Sequence, residues 1–304
     1  AVVTMADQAL INTAGGSATI NSDGNITLGG VTANGGINLT TTSGAVVDGG
    51  DSLTDAVSNG TLTIDAVSGA GSLNSLETAV ADVDIDVTGT GNIGINETNA
   101  LTINNLTAAD GGVTVTAGGT VTVSGAVSSS DADIIINANG ADSDAAVNDS
   151  LTAGGTGGVT VTADDSIIIG AGGSVSSANA GNIVLTADDD GTAGGNSGDL
   201  IDMTDGTSVT SGTTGTITVS GRGTVTVSRL VTGNAGAGAV SVTSTAGGIL
   251  DGGGTGGADI DVQSAGTVTL NAATAIGDSG GDVTVVNPTN ALETDIRNLS
   301  LQGN

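Results

Sequence analysis

Short runs in which apolar residues alternate strictly with polar ones return along this chain at a nearly constant spacing, and that recurrence restricts its fold more than any other feature. Val113-Thr-Val115, Ile134-Ile-Ile136, Val159-Thr-Val161, Ile217-Thr-Val219 and Val240-Ser-Val242 carry the period of two of half-buried strands, each bounded by Gly, Asn, Asp or Ser. No helical 3.6-residue pattern competes. Inward positions step by eight from Val159 to Ile167, Val175 and Ile183, and by eight, eight and seven from Ile260 to Val268, Ile276 and Val283. Three strands therefore make one coil. Its first strand returns after 21 residues from Val113 to Ile134, 24 from Val159 to Ile183, and 23 from both Ile217 to Val240 and Ile260 to Val283. A sandwich spaces its strands irregularly, whereas stacked coils come back in phase. The expected fold is all-β: a right-handed parallel β-helix with three short strands per coil of about 21–24 residues, running as one continuous solenoid over residues 1–304.

Composition agrees with a thin interior. Phe, Trp, Tyr, Cys and His are all absent from the 304 residues, so Val, Ile, Leu and Ala must fill the core alone. Fifty-four glycines and a net charge of -29 would also suit a disordered tract, but 37% of residues are apolar and there is one proline, Pro288. Of the 32 acidic residues, only Glu77, Glu97 and Glu293 are glutamate; the basic residues are Arg222, Arg229 and Arg297. Asp suits turns, where its carboxylate bonds the local backbone, whereas Glu favours helices. The charge balance repels phosphate backbones and anionic lipid, which argues against nucleic-acid partners, and no apolar run is long enough for membrane insertion by a helix. Trypsin-like and chymotrypsin-like proteases would find few cleavage sites, which fits an extracellular or cell-surface location and equally fits compositional drift in a repeat protein.

A longer repeat lies above the coil. Residues 36–50 match 239–253 position for position, Thr61-Leu-Thr-Ile-Asp-Ala66 matches Thr267-Val-Thr-Leu-Asn-Ala272, and Asn74-Ser-Leu-Glu-Thr-Ala-Val80 matches Asn290-Ala-Leu-Glu-Thr-Asp-Ile296. Residues 36–82 thus recur as 239–298, so the chain is expected to be part of a longer tandem array. Two segments, 139–157 and 188–206, fall out of phase and read as loops or extra partial coils on one side of the rod.

Gly112-Val-Thr-Val-Thr-Ala117, Gly119-Thr-Val-Thr-Val-Ser-Gly125 and Gly181-Asn-Ile-Val-Leu-Thr-Ala187 resemble the strand repeats of filamentous-haemagglutinin-like exoproteins and related giant bacterial adhesins. The resemblance covers nearly the whole chain. It implies a parallel β-helix, secretion across an outer membrane, and a role in adhesion, aggregation or matrix.

The function expected is therefore the structural shaft of a secreted or cell-surface adhesin or fibre, whose partners are other copies of itself or surface and matrix components. The alternative is a self-assembling extracellular filament or biofilm-matrix protein. A polysaccharide-processing β-helix enzyme is a rival class, but His, Lys, Tyr and Trp, which would supply bases, acids and sugar-stacking platforms, are missing. Asp164-Asp165 and Asp188-Asp189-Asp190 read as solvated turn acids, so no catalytic, cofactor-binding or metal-ligating residue is assigned. Calcium is the one cofactor the acidic composition leaves open, and only as weak binding: Gly252-Gly-Gly-Thr-Gly-Gly-Ala-Asp259 and Gly194-Gly-Asn-Ser-Gly-Asp199 miss the calcium-loop spacing of repeats-in-toxin proteins. The pairs Thr120/Thr122, Thr224/Thr226 and Thr267/Thr269 have the form of an ice-binding ladder, interrupted at Asp165-Ser-Ile-Ile168.

Overall fold

The computed structural model describes residues 1–6, 8–50, 53–188, 199–252, 260–277, 292 and 294–303. Among these residues there is no helix, and so none long and apolar enough to cross a membrane. Strands pair in parallel with their counterparts in the coils before and after, giving a β-solenoid. On its first face Ile93–Glu97, Val113–Ala117, Ile134–Ala138, Val159–Ala163, Ile183–Ala187, Ile217–Gly221 and Val240–Ser244 stack in register. The second face stacks Val121–Val123, Ala145–Val147, Ile167–Ile169, Ile201–Met203 and Val225–Val227. The third stacks Val127–Ser129, Ser150–Ala153, Ser174–Ser177, Ser208–Ser211 and Leu230–Thr232.

Parallel in-register stacking sets each inward side chain on the one below it, so alternation along a strand becomes an aliphatic column along the axis. Val113, Ile134, Val159, Ile183, Ile217 and Val240 form one such column, every member fully buried. The predicted phase Val159, Ile167, Val175, Ile183 is entirely inward. Where strands turn, a buried hydroxyl takes the place of an aliphatic side chain and donates to the corner backbone. Thr41 donates to the Gly44 carbonyl at 2.7 Å, Ser129 to Ala132 at 2.7 Å, Ser177 to Gly181 at 2.6 Å and Thr232 to Gly215 at 2.9 Å. Carbonyls that strand pairing leaves over are thereby satisfied without water.

The cross-section changes along the rod. In the first coils the long strands Ala18–Ser22 and Ile37–Thr41 stack under residues 62–66 and 83–87. That column then splits: Val83 pairs with Ile103 and Ile85 with Leu106, with a register shift at Asn104. The extra residue of such a bulge bends the strand, and one rung later Ser124-Gly125-Ala126 fills the new corner. On the other side a corner disappears. Ala70 and Leu76 stack under Ile93 and Ile95, so residues 71–75 are looped out opposite the single residue Gly94, and Leu73 at their tip is 99% exposed.

Several expectations need correction. Residues 139–157 are not a loop: Ala145–Val147 and Ser150–Ala153 are in-register strands, obscured because alanines fill half their inward positions. Of residues 188–206, Ile201–Met203 is likewise a strand of the second face, and 189–198 lie outside the described residues. Val268, rather than Ile260, stacks on Val240; Ile260 precedes its strand and is 38% exposed, while Val283 lies outside the described residues. The long repeat recurs turned by one face. Ile37 belongs to the column that leads to Val83, Ile103 and Val123 on the second face, whereas its match, Val240, lies on the first. What repeats is a long strand, a corner and a short strand, irrespective of where they fall around the axis.

Gly181 tests the stacking directly, because a Cβ there would run into the Gly157 carbonyl of the coil below. Gly181→Ala is expected to cost about 1–3 kcal/mol through this overpacking, and Ile183→Ala about 2–5 kcal/mol through the cavity it opens. Gly16, with nothing within 4 Å of its Cβ position, should accept Ala within about 0.5 kcal/mol. Urea denaturation followed by circular dichroism measures all three, and equal midpoints for the two glycine variants would contradict the stacking.

Candidate functional site

The corner that disappears carries a carboxylate cluster. Asp48 ends the strand Val46–Asp48, Asp55 immediately precedes Ala56–Ala66, and Glu77 is the second residue of Leu76–Thr90. Because Ala56 pairs with Thr78, Asp55 and Glu77 sit on neighbouring rungs. Oxygens from the three carboxylates, one from each, lie within 4.8 Å of one another. Asp55 is fully buried.

The surrounding donors fix these acids without saturating them. The Glu77 amide donates to Asp55 Oδ2 at 3.0 Å, and the Gly50 amide to Asp48 Oδ1 at 2.8 Å. Asn74, in the looped-out segment 71–75, donates its side-chain amide to Asp48 Oδ2. Asp55 Oδ1 and Glu77 Oε2 are buried and meet no donor from other described residues, and the Asp55 and Glu77 carboxyls are placed to hydrogen-bond each other when one is protonated. Burial, reinforced by the charges of Asp48 and Glu77, pushes the Asp55 carboxyl up to about 8. Together the three present a compact set of hard oxygens, able to hold an oxygen-seeking cation or to share a proton.

The acids singled out in the sequence lie elsewhere and do other work. Asp165 is buried and accepts the Asp199 amide at 2.7 Å; Asp199 Oδ2 in turn accepts from Arg222 Nη1 at 2.8 Å. Asp188, at φ 61°, donates its amide to the Asp165 carbonyl at 3.1 Å. These residues cap corners between coils. The adjacent Asp144, whose Oδ1 accepts the Ser166 amide, is raised by burial, with Asp165 adding to the effect. Asp189, Asp190 and the glycine-rich stretches 194–198 and 253–259 lie outside the described residues. Nor do the threonine pairs form a continuous array: the outward column of the second face reads Thr102, Thr122, Ala146, Ile168, Asp202, Thr226, Leu250. Thr120 accepts the Asp144 amide at 3.2 Å and is a corner residue.

Fold and corners together define a class, the parallel β-solenoid repeat proteins. No protein-family model, curated protein or solved structure matches the chain.

The carboxylate cluster sets a pH dependence. A carboxyl that titrates near 8 in the folded chain and at 3.8 when unfolded stabilises the fold in its protonated form, so its contribution is complete below pH 3.8 and is lost as pH rises through about 8. With a chelator present, the urea midpoint of the parent chain is expected to fall more steeply between about pH 5 and 8 than that of Asp55→Asn, which has no proton to lose at this position. Parallel profiles would contradict the assignment.

Proposed function

We propose that this chain is a length of structural shaft from a secreted or cell-surface bacterial adhesin or fibre, working mechanically rather than catalytically outside the cell. The unbroken parallel register supports this reading most. From Val113 to Val268 each rung of the first face pairs with the next, so neighbouring coils are joined by main-chain hydrogen bonds as well as by aliphatic packing. Such a scaffold spans distance without needing any particular outward side chain. Of the two outward columns of the first face, that of Asn96, Thr116, Asn137, Thr162, Thr186, Ser220, Thr243 and Asn271 is polar throughout while the other interrupts its polar residues with Ile135 and Val184, and a net charge of -29 makes parallel rods repel one another. That repulsion favours separate shafts over laterally packed filaments, and it disfavours nucleic acid and anionic membrane as partners.

Electron microscopy of the native material tests the proposal. Isolated rods projecting from the cell surface are expected; regular lateral or axial contacts between chains would replace this reading with a self-assembling filament. A second expectation concerns subtilisin, which requires neither basic nor aromatic residues. It should cleave the folded chain at least tenfold more slowly than the urea-unfolded chain, because strands paired on both edges open only at high free-energy cost. Rapid cleavage within residues 93–188 would count against a mechanical role.

A further inference from the structure

The long repeat carries the carboxylate cluster with it. Asp48-Gly-Gly50 recurs as Asp251-Gly-Gly253, and Leu76-Glu-Thr78 as Leu292-Glu-Thr294. Between them, Asp55-Ala-Val-Ser-Asn-Gly60 recurs as Asp261-Val-Gln-Ser-Ala-Gly266. Two of the three glutamates in the whole sequence, Glu77 and Glu293, therefore occupy equivalent places in a chain that otherwise uses aspartate. The structure reproduces the equivalence where both copies are described. Asp48 and Asp251 each end a three-residue strand, and Asp55 and Asp261 are each fully buried just before a long one. The backbone carbonyls of Asp55 and Asp261 accept from Val31 and Leu230 at 2.8 and 2.6 Å. Ser58 and Ser264 each accept the amide two residues on, at 2.9 and 3.1 Å.

We infer that Asp48, Asp55 and Glu77 form a calcium site that clamps the coil containing Asp48 and Asp55 to the next one, which contributes Glu77. Three observations converge on it. The first is a fully buried carboxylate, Asp55, which belongs to the cluster and whose Oδ1 meets no hydrogen-bond donor among the described residues. An oxygen buried in that state must either belong to a protonated carboxyl or meet something positive, and among the described residues no arginine pairs with this cluster. The second is compactness: one oxygen from each of the three carboxylates lies within 4.8 Å of the other two, close enough for all three to ligate one calcium ion at its usual distances of about 2.3–2.6 Å. Calcium accepts irregular, carboxylate-rich coordination, whereas magnesium keeps several waters and demands a near-ideal octahedron, so three acids fixed by the backbone suit calcium better. The third is the recurrence of the same three acids, across separations of 7 and 22 residues in one copy and 10 and 32 in the other, which solvation of turns does not require. The place is also mechanically apt, since residues 71–75 loop out there and backbone pairing alone joins the coils less continuously than elsewhere.

Isothermal titration calorimetry with calcium chloride, run on the full chain at neutral pH and moderate salt, tests the inference. Asp55→Asn and Glu77→Gln are each expected to bind one calcium ion fewer than the parent chain. Asp110→Asn, at an exposed position away from the cluster, should bind the same number. Far-UV circular dichroism establishes that each variant is folded, and agreement between the two cluster variants guards against a folding defect in either. If the parent and both cluster variants bind calcium identically, the carboxylates share a proton only and the inference fails. Should magnesium at the same concentration give the same heats, the assignment to calcium fails. Neither result bears on the shaft reading, which stands or falls on the microscopy.

Discussion

Everything in this solenoid depends on one constraint: each strand must pair, in parallel and in register, with the strand one coil below. A single coil encloses too little volume to bury its own apolar face, so an inward Val or Ile leaves water only when the next coil covers it. Register does the rest, because a slip of one residue would turn every inward side chain outward. Aliphatic side chains stacked at the rung spacing of about 4.8 Å fill the interior, which is how a chain without Phe, Tyr or Trp still buries a continuous core. Close packing at the corners obeys it too: the Gly157 carbonyl occupies the place a Gly181 side chain would need.

Given that constraint, the corners are free to move, and they do. The bulge at Asn104 opens a corner on one side while the excursion at residues 71–75 closes one on the other, yet the columns run through both without a break. Rotation of the long repeat by one face has the same origin. A strand–corner–strand unit does not record which face it occupies, so duplication can place it at any angle around the axis. The carboxylate cluster marks where one cross-section gives way to another, which ties a chemical feature to a mechanical one.

The sequence announced the columns well where both inward residues of a strand are large, as in Val159-Thr-Val161, and poorly where they are small. Ala145 and Ala153 are buried to within 1% of completely, but alanine is too weak an apolar signal to separate strand from loop between aspartates. Corner hydroxyls such as Ser129 and Ser177 were hidden for a related reason, since a serine at the inward phase looks like the end of a pattern. The acid cluster was harder still. Adjacent acids such as Asp164-Asp165 draw attention in a linear reading, whereas Asp48 and Asp55 stand 7 residues apart and Glu77 a full coil further on, so the three meet only after stacking. One signal was available: glutamate is rare in this chain, and two of its three occurrences align in the long repeat.

Axial stacking makes distance along the rod a count of rungs, and a spin-label measurement reads that count. The chain has no cysteine, so cysteines introduced at Thr114 and Ser241, both outward residues of the first-face column, would carry the only labels. Five rungs separate them, through Ile135, Thr160, Val184 and Thr218. Pulsed electron paramagnetic resonance is expected to give a narrow distribution centred about 24 Å apart, at about 4.8 Å per rung, and about 43 Å for Thr27 with Ser241, nine rungs apart. Distances that fail to grow with the number of rungs, as two facing antiparallel layers would give, would contradict the solenoid.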